Sequence, residues 1–330
     1  MKNFSKYTAA TLLAVTALGA HAQSSVTVYG LIDLSIGSTK PVGGVSQTGI
    51  DSGKLTTSYF GFRGTEDLGG GLSAVFKLEG FLRADTGASG RFNGDTQFSR
   101  NAVVGLSSKD WGSLMLGRNT TPLFVSTLSF NAFGDSFGYS PSIRHYFTSG
   151  TVTGDSAWSN SVLYASPDFG GLKFGLIAAA KGGANGNSNG ANWGANAGYA
   201  AGPLSAALVF QDVKKDGTAA VDDTRTWQLG GSYDFGVAKT FVQLGEVRNS
   251  TTDKTYRLAD AGARIPVGNG NVLLQYGRLT PDAGGKTSTV SLGYSYSLSK
   301  RTELYAALMH DRKEQLSAGS SYSLGLRHRF

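Results

Sequence analysis

The sequence predicts an all-β chain: a transmembrane antiparallel β-barrel of about sixteen strands. Three observations carry that prediction. Apolar and polar residues alternate at period two in segment after segment, which is the strand period. The segments run to about ten or more residues, enough to cross a bilayer on a tilt and longer than the ~5–6 typical of soluble strands. Tight turns alternate with longer polar connections, as in barrels that keep short turns on one side of a membrane and long loops on the other.

The N-terminus reads as a leader and is set aside. Lys2 and Lys6 give a basic start, an apolar run from Thr8 to about Gly19 holds Leu12, Leu13, Val15 and Leu18, and Ala20-His21-Ala22 offers small residues to a signal peptidase. The run is shorter than the ~20 residues of a spanning helix, so a cleaved signal peptide, residues 1–22, is expected. Residues 23–330 then form a single barrel domain. No later window holds the ~18 consecutive apolar residues of a helical span, which leaves strands to do the crossing.

Composition narrows the class. Cysteine is absent, so no disulfide framework supports this exported chain. Aromatic residues make up 11%, which argues against low-complexity disorder. Losing Lys2 and Lys6 with the leader lowers the formal charge from +7 to +5. That excess is modest, and with export it argues against a nucleic-acid partner.

The turns come first, because they count the strands. They fall at Asp67-Leu68-Gly69-Gly70, Lys109-Asp110-Trp111-Gly112, Asp168-Phe169-Gly170-Gly171, Ala201-Gly202-Pro203, Asp234-Phe235-Gly236, Val267-Gly268-Asn269-Gly270 and Ser299-Lys300-Arg301. Seven such turns imply eight hairpins and sixteen strands. Sixteen strands of ~11 residues use roughly 180 residues. Turns of about 30 residues in all then leave about 100 for the long loops. Twelve strands would leave implausibly long loops, and twenty-two would leave none.

The strands between them show the alternation. Trp227, Leu229, Gly231, Tyr233 and Phe235 oppose Thr226, Gln228, Gly230, Ser232 and Asp234. Val290, Leu292, Tyr294, Tyr296 and Leu298 oppose Thr289, Ser291, Gly293, Ser295 and Ser297. At the C-terminus Tyr322, Leu324, Leu326, His328 and Phe330 oppose Ser321, Ser323, Gly325, Arg327 and Arg329. In a soluble sandwich the apolar face would point inward; in a membrane barrel it meets lipid and the polar face lines the interior. Many segments begin or end in Tyr, Trp or Phe, as interfacial girdles require.

The longest connection runs from near Thr121 to near Asn160. It contains Phe124, Phe130, Phe133, Phe137, Tyr139, Tyr146, Phe147 and Trp158. So apolar a loop must pack on something. The barrel interior is the nearest surface, so the loop is expected to fold inward and narrow the pore; an exposed loop making partner contacts is the alternative.

Five stretches of this chain resemble the Gram-negative general porins of the trimeric sixteen-stranded type. They are Ser25-Val26-Thr27-Val28-Tyr29-Gly30 with Asp33; Gly61-Phe62-Arg63-Gly64-Thr65-Glu66-Asp67-Leu68-Gly69-Gly70-Gly71-Leu72; Val104-Gly105-Leu106 with Gly117-Arg118; Asn160-Ser161-Val162 with Tyr164 and Ser166-Pro167; and Leu298-Ser299-Lys300-Arg301-Thr302 with Leu304-Tyr305. The second and fifth are the specific ones. The resemblance implies a homotrimer in the outer membrane of a Gram-negative bacterium, in contact with lipid and lipopolysaccharide. It also implies a constriction made by the third external loop and passive diffusion of ions and small hydrophilic solutes. Leu326-Arg327-His328-Arg329-Phe330 resembles the terminal-aromatic signal such porins show to the barrel-assembly machinery. Two departures matter: many relatives carry an arginine where this chain has Tyr59, and another near Ala157. Their absence weakens any expectation of strong anion selectivity.

Parity and resemblance together nominate pore-lining residues. Arg63 shares a face with Thr57, Tyr59 and Thr65, opposite Phe60 and Phe62. Lys77, Glu79 and Arg83 stand opposite Phe76, Leu78 and Leu82. A charge on the lipid face costs about 2–4 kcal/mol at the midplane, so all four are expected in the lumen. Arg100 and Arg118 sit on strands flanking the long loop, and by the resemblance Arg100 matches a basic wall residue. The loop offers Asp135, Arg144 and Asp155. A basic wall facing an acidic loop would set a transverse field and a weak anion preference; the competing reading is that these charges satisfy one another.

Other signals carry little. Gly284-Gly285-Lys286-Thr287 resembles the end of a P-loop, but Thr280 stands where the first glycine belongs. Ser297 to Lys300 has S-x-x-K spacing without its partner motifs. His145, His310 and His328 are isolated, with no metal-ligand spacing, so neither metal nor cofactor is expected. A barrel hydrolase would need a nucleophile, His and acid on one face, and an adhesin would need a soluble domain or large surface loops. Neither pattern is present, and a non-enzymatic channel remains the leading reading.

Overall fold

The computed structural model describes residues 25–180, 191–214 and 223–330. The expected leader, residues 1–22, and its cleavage point lie outside the described residues. Eighteen strand segments form one sheet. They are β1 (Ser25–Lys40), β2 (Gln47–Ser52), β3 (Tyr59–Gly69), β4 (Leu72–Arg83), β5 (Ala88–Ser89), β6 (Asn101–Ser108), β7 (Gly112–Thr120), β8 (Ala157–Ala165) and β9 (Leu172–Ala179). Then follow β10 (Asn192–Ala201), β11 (Leu204–Val213), β12 (Thr224–Asp234), β13 (Lys239–Asn249), β14 (Lys254–Val267), β15 (Gly270–Pro281), β16 (Thr287–Ser297), β17 (Thr302–Lys313) and β18 (Gly319–Arg329).

Eighteen segments make sixteen staves. β2 and β3 both pair with β1, at Leu34–Thr39 and Ser25–Leu31 respectively, so they are two halves of one broken stave. β5 is a two-residue arm on the end of β4. β1 pairs antiparallel with β18, Leu31 opposite Arg329 and Lys40 opposite Ser320, and this closes the sheet into a barrel. Backbone bonds between Gly30 and Phe330, 3.1 Å in each direction, extend the seam to the last residue.

The tight turns fall where the sequence puts them, and three share one device. Asp67 Oδ1 accepts from the Gly69 amide at 2.9 Å, Asp168 Oδ1 from the Gly171 amide at 2.5 Å, and Asp234 Oδ1 from the Gly236 amide at 2.8 Å. The aspartate mimics a backbone turn and glycine follows because the chain must enter left-handed space. Gly69, Gly70 and Gly71 are the extreme case, with φ of 83°, 60° and 78°.

Burial is inverted relative to a soluble protein. On β12, Gln228 and Thr226 are 0% exposed while Trp227 and Leu229 between them are 42% and 47% exposed. The apolar face is the outside, so the barrel reading holds over the sandwich. A sheet of sixteen staves is too wide for side chains to fill, and it encloses a channel.

The long connection between β7 and β8 lies on the polar face. Sequence alone gives it no regular structure, yet it holds two short helices, α1 (Pro122–Ser129) and α2 (Pro141–Phe147). Each starts with a hydroxyl cap followed by proline: Thr121 Oγ1 accepts from the Phe124 amide, and Ser140 Oγ from the Ile143 amide. Wall glutamines complete the helix ends. Gln243 donates to the Thr127 and Phe130 carbonyls, both at 2.9 Å, and Gln275 donates to Ser142 Oγ at 2.7 Å while accepting from the Ala132 amide. The Thr127 carbonyl, at the last turn of α1, also accepts from Asn131 Nδ2 at 2.7 Å, so Gln243 and Asn131 together close that helix end.

Beside the glutamines, inward-facing glycines leave room for the segment's rings. Gly230 pairs with Gln243 across the strands and Gly245 with Gln228. A Cβ on Gly230 would lie 2.3 Å from the Phe130 ring, and one on Gly293 3.0 Å from the Phe133 ring. Gly230→Val should therefore unseat the segment without opening the barrel, at an overpacking cost of about 1–3 kcal/mol. In detergent, proteolytic cleavage within residues 122–156 should appear while the barrel keeps its heat-modifiable gel migration. Resistance equal to wild type would mean the glycine recess does not hold the segment.

Candidate functional site

Four of the nominated residues meet on β3, β4 and the approach to β6. Arg63 and Lys77 are direct cross-strand partners. Glu79, two residues beyond Lys77 on the same face, is 3% exposed and acts as the hub. It accepts from Arg100 Nη1 at 2.6 Å, Asn101 Nδ2 at 2.6 Å and the Tyr29 hydroxyl at 2.7 Å, and Lys77 Nζ stands 3.8 Å away. Arg63 has no carboxylate within ion-pair distance among the described residues; its guanidinium lies 4.8 Å from the centre of the Tyr29 ring. Tyr59 carries Arg100 on its ring face at 4.0 Å. Asp135, from the long segment, accepts from Thr56 Oγ1 at 3.1 Å.

These side chains border two connected spaces. One, of about 900 Å³, is lined by Arg63, Lys77, Arg83, Arg100, Asp135 and Phe124 among others. The second, of about 370 Å³, is lined by Arg100, Asp135, Arg264, Glu303, Arg327 and Arg329. Arg100 and Asp135 border both. Arg264, Arg327 and Arg329 were not singled out from the sequence. Parity alone would have found them, since Arg327 and Arg329 continue the polar face of Ser321 and Ser323, and Arg264 that of Gly262.

The chain matches the Gram-negative porin family over residues 9–316. It is 32% identical over 390 residues to an outer membrane porin of Bordetella pertussis, covering 98% of each chain. It is 33% identical to outer membrane porin protein 32 of Delftia acidovorans, covering 88% of this chain and 84% of that one. Among solved structures, the anion-selective porin from Comamonas acidovorans superposes with a TM-score of 0.80 at 31% identity, covering 93% of this chain and 100% of that one. This chain belongs to the Gram-negative porin family. It is an outer-membrane β-barrel, and the porin works as a passive, water-filled diffusion channel for ions and small hydrophilic solutes.

The remaining nominated residues of this porin are bound into the loops. Arg118 is buried and donates to the Ser99 carbonyl at 2.5 Å, Ser159 Oγ at 3.0 Å and Asp155 Oδ2 at 2.6 Å. Arg91, unmarked in the sequence, pairs with both Asp155 and Asp95 at 2.9 Å. Asp155 is thus clamped between two guanidiniums instead of facing the basic wall as an isolated anion. The polarity reverses at α2, where Arg144 from the segment reaches Asp311 on the wall at 2.6 Å. Thr289 joins that pair to His145, donating to Asp311 Oδ1 at 2.6 Å and contacting His145 Nε2 at 3.0 Å. Burial first, then the charge of Arg144, lowers the His145 imidazole to a pKa of about 3, so it is neutral at physiological pH. Arg83 stands apart at the loop end of β4, donating to Asn93 Oδ1 at 2.8 Å.

The clamp is acid-labile by a calculable sign. Burial alone would raise the Asp155 and Asp95 carboxyls, but the hydrogen bonds and charge of Arg91 outweigh it, helped by Arg118 at Asp155 and Ser99 at Asp95. Both end below the ordinary value, Asp95 at about 2. A depressed carboxyl contributes stability that is present above its unfolded pKa and lost as pH falls through the folded one. Hydrogen-exchange protection in residues 91–99 and 151–156, measured against the intrinsic rate at each pH, should hold from neutral pH down to 3.8, then fall as pH approaches 2. Arg91→Gln should move that onset upward. An exchange profile in the variant that matches wild type would show that Arg91 does not pin these loops.

Proposed function

We propose that this porin is a weakly to moderately anion-preferring channel, narrowed where residues 122–156 face the wall of Arg63, Lys77, Glu79 and Arg100. One observation carries the reading. Along the two spaces around the segment stand Arg63, Lys77, Arg83, Arg91, Arg100, Arg264, Arg327 and Arg329, against Asp135 and Glu303, with Glu79 beside Lys77 and Arg100. Eight cations against three anions leave an excess of positive charge, even with Arg91 held by Asp95 and Asp155. Fixed charges in a narrow passage act on an ion within the Debye length of about 10 Å at 0.1 M salt, so the preference should fade as salt rises. Similarity to the anion-selective porin from Comamonas acidovorans supports the same sign.

In this reading Arg63, Lys77, Glu79, Arg100 and Asp135 line the constriction, and Arg83 stands at its mouth. Arg118, Asp155 and Arg144 hold the segment in place. No catalytic role is assigned, in keeping with relatives that are porins. Arg100→Ser should move the reversal potential in a salt gradient toward cations, because it removes a cation and frees Glu79. Lys40→Ser, at the far end of β1, should hardly change it. A wild-type pore that prefers cations at low salt, or an Arg100→Ser pore with an unchanged potential, would overturn the assignment.

We further infer a homotrimer, delivered by a leader cleaved after Ala22, inserted by the barrel-assembly machinery and surrounded by lipid and lipopolysaccharide. The outer wall supports this. On β1 and β6 it shows short Val26, Val28, Ile36 and Val104, all 58–66% exposed, where other staves carry Trp227, Tyr276 or Tyr322. Phe330, on the seam at Gly30, is the expected assembly signal. Cross-linking in native membranes should give a three-chain species, and deleting Phe330 should lower outer-membrane yield without altering the conductance of channels that do form. A purely monomeric product, or normal yield without Phe330, would refute the respective claim.

A further inference from the structure

One part of the lumen is apolar where a water-filled channel has no need to be. The strand registers define rows around the inner wall. Arg63, Lys77 and Val103 share one row across β3, β4 and β6. The next row toward the tight turns runs Val75, Gly105, Met115, Leu163 across β4, β6, β7 and β8. Facing this patch, α1 buries Leu123, Ser126 and Thr127 on its wall side and turns Phe124, Val125 and Leu128 to the space. Val125 is 47% exposed, and Phe124 is stacked on Phe137 with ring centres 5.9 Å apart. Val75, Met115, Leu163, Phe124, Val125 and Leu128 border the same space of about 900 Å³ as Arg63, Lys77 and Arg100. On the opposite wall the inward apolar side chains, among them Phe241, Val247, Leu273 and Met309, are buried beneath the segment together with Gln228, Gln243 and Gln275, whereas this patch borders open space.

Each half of this arrangement is unsatisfied in water alone. Apolar side chains facing water keep the free energy that burial would release. The adjacent cations exceed their anion: Lys77 and Arg100 share Glu79, and Arg63 has no carboxylate within ion-pair distance among the described residues. An inorganic anion answers the charge and leaves the patch wet. A sugar answers neither. A solute with a carboxylate at one end and a ring at the other answers both. Lys77 on β4 and Met115 on β7 lie one row and two strands apart, about 12 Å between backbones at ~7 Å per row and ~4.8 Å per strand; both side chains reach into the shared space, and a ring carried one to three carbons from a carboxylate spans the gap between their tips. The thioether of Met115 and the face of Phe124 favour an aromatic body over an alkyl one.

We propose that this porin carries a transit-binding subsite for small arylcarboxylates, with the carboxylate at Arg63 and Lys77 and the ring between Met115–Leu163 and α1. The proposal rests on the channel reading above and deepens it. The test is single-channel current in KCl with 3-phenylpropionate, hexanoate or propionate added. Phenylpropionate should halve the chloride current at a concentration at least five-fold below that of propionate, and below that of hexanoate. Met115→Gln with Leu163→Gln should bring the ratio to propionate within two-fold while KCl conductance stays near wild type. Val125→Gln, on the exposed face of α1, should reduce the same ratio and serves if the wall variant does not insert. Equal potency of phenylpropionate and propionate, or an unchanged ratio in the variants, would overturn the subsite. Equal potency of hexanoate would overturn its aromatic preference. Absence of any KCl current in wild type would instead remove the channel reading itself.

Discussion

Everything in this molecule follows from one constraint: in hydrocarbon, every backbone N–H and C=O must find its partner within the protein. A sheet can meet that demand only by closing, and the pairing of β1 with β18 is where it closes. Closure fixes the rest in sequence. Sidedness becomes inside against outside, so the period-two alternation places Trp227 and Leu229 in lipid and Gln228 in the interior. Sixteen staves make the ring too wide to fill with its own side chains. The chain must therefore supply something to define the passage.

The segment after β7 packs against the inner wall, and its seating shows what a polar interior demands. Its two helices bring buried carbonyls and amides against the wall, and each group left unpaired would cost about 1–3 kcal/mol. Gln243 and Gln275 answer those groups, Gln243 donating to two carbonyls and Gln275 accepting from the Ala132 amide, while Gln228 donates to Gln243 and to the Thr127 hydroxyl. The glycines across from them keep the wall thin enough for Phe130 and Tyr146 to approach. Asp33 does the matching work at the broken stave. It is fully buried and accepts from the Leu55 and Thr56 amides and the Tyr305 hydroxyl, where the chain leaves the wall between β2 and β3.

What was legible in the sequence was what is local. Strand faces repeat every two residues and the Asp-to-Gly turns are read in four, so the stave count came out whole. Parity also put Arg63, Lys77 and Glu79 on the inner face. The helices were missed because each is only about two turns long with no apolar period to see, although Thr121-Pro122 and Ser140-Pro141 are cap signals. The break between β2 and β3 depends on Asp33, some twenty residues from the amides it binds, and no short pattern marks it. The fate of Asp155 was not legible either. Its partners Arg91 and Arg118 are 64 and 37 residues away, and the successive pairing of β4, β6, β7 and β8 brings them together.

That division separates two kinds of charge that look alike in a sequence. Arg118, Arg91 and Arg144 each hold a carboxylate within 2.9 Å; removing Arg144 would leave Asp311 without its cation, removing Arg91 or Arg118 would leave Asp155 with one, and either loosens a loop. Arg63 instead rests on the Tyr29 ring with no carboxylate partner among the described residues, and Arg100 lies on the Tyr59 ring while sharing Glu79 with Lys77. Tyr59 is the instructive position. An arginine there would add a cation beside Arg100 and repel it; a tyrosine adds none and gives Arg100 a face to lie on while its Nη1 reaches Glu79. The field in the passage then depends on how tightly one carboxylate, Glu79, is shared among Lys77, Arg100, Asn101 and Tyr29, and less on the number of arginines in the wall.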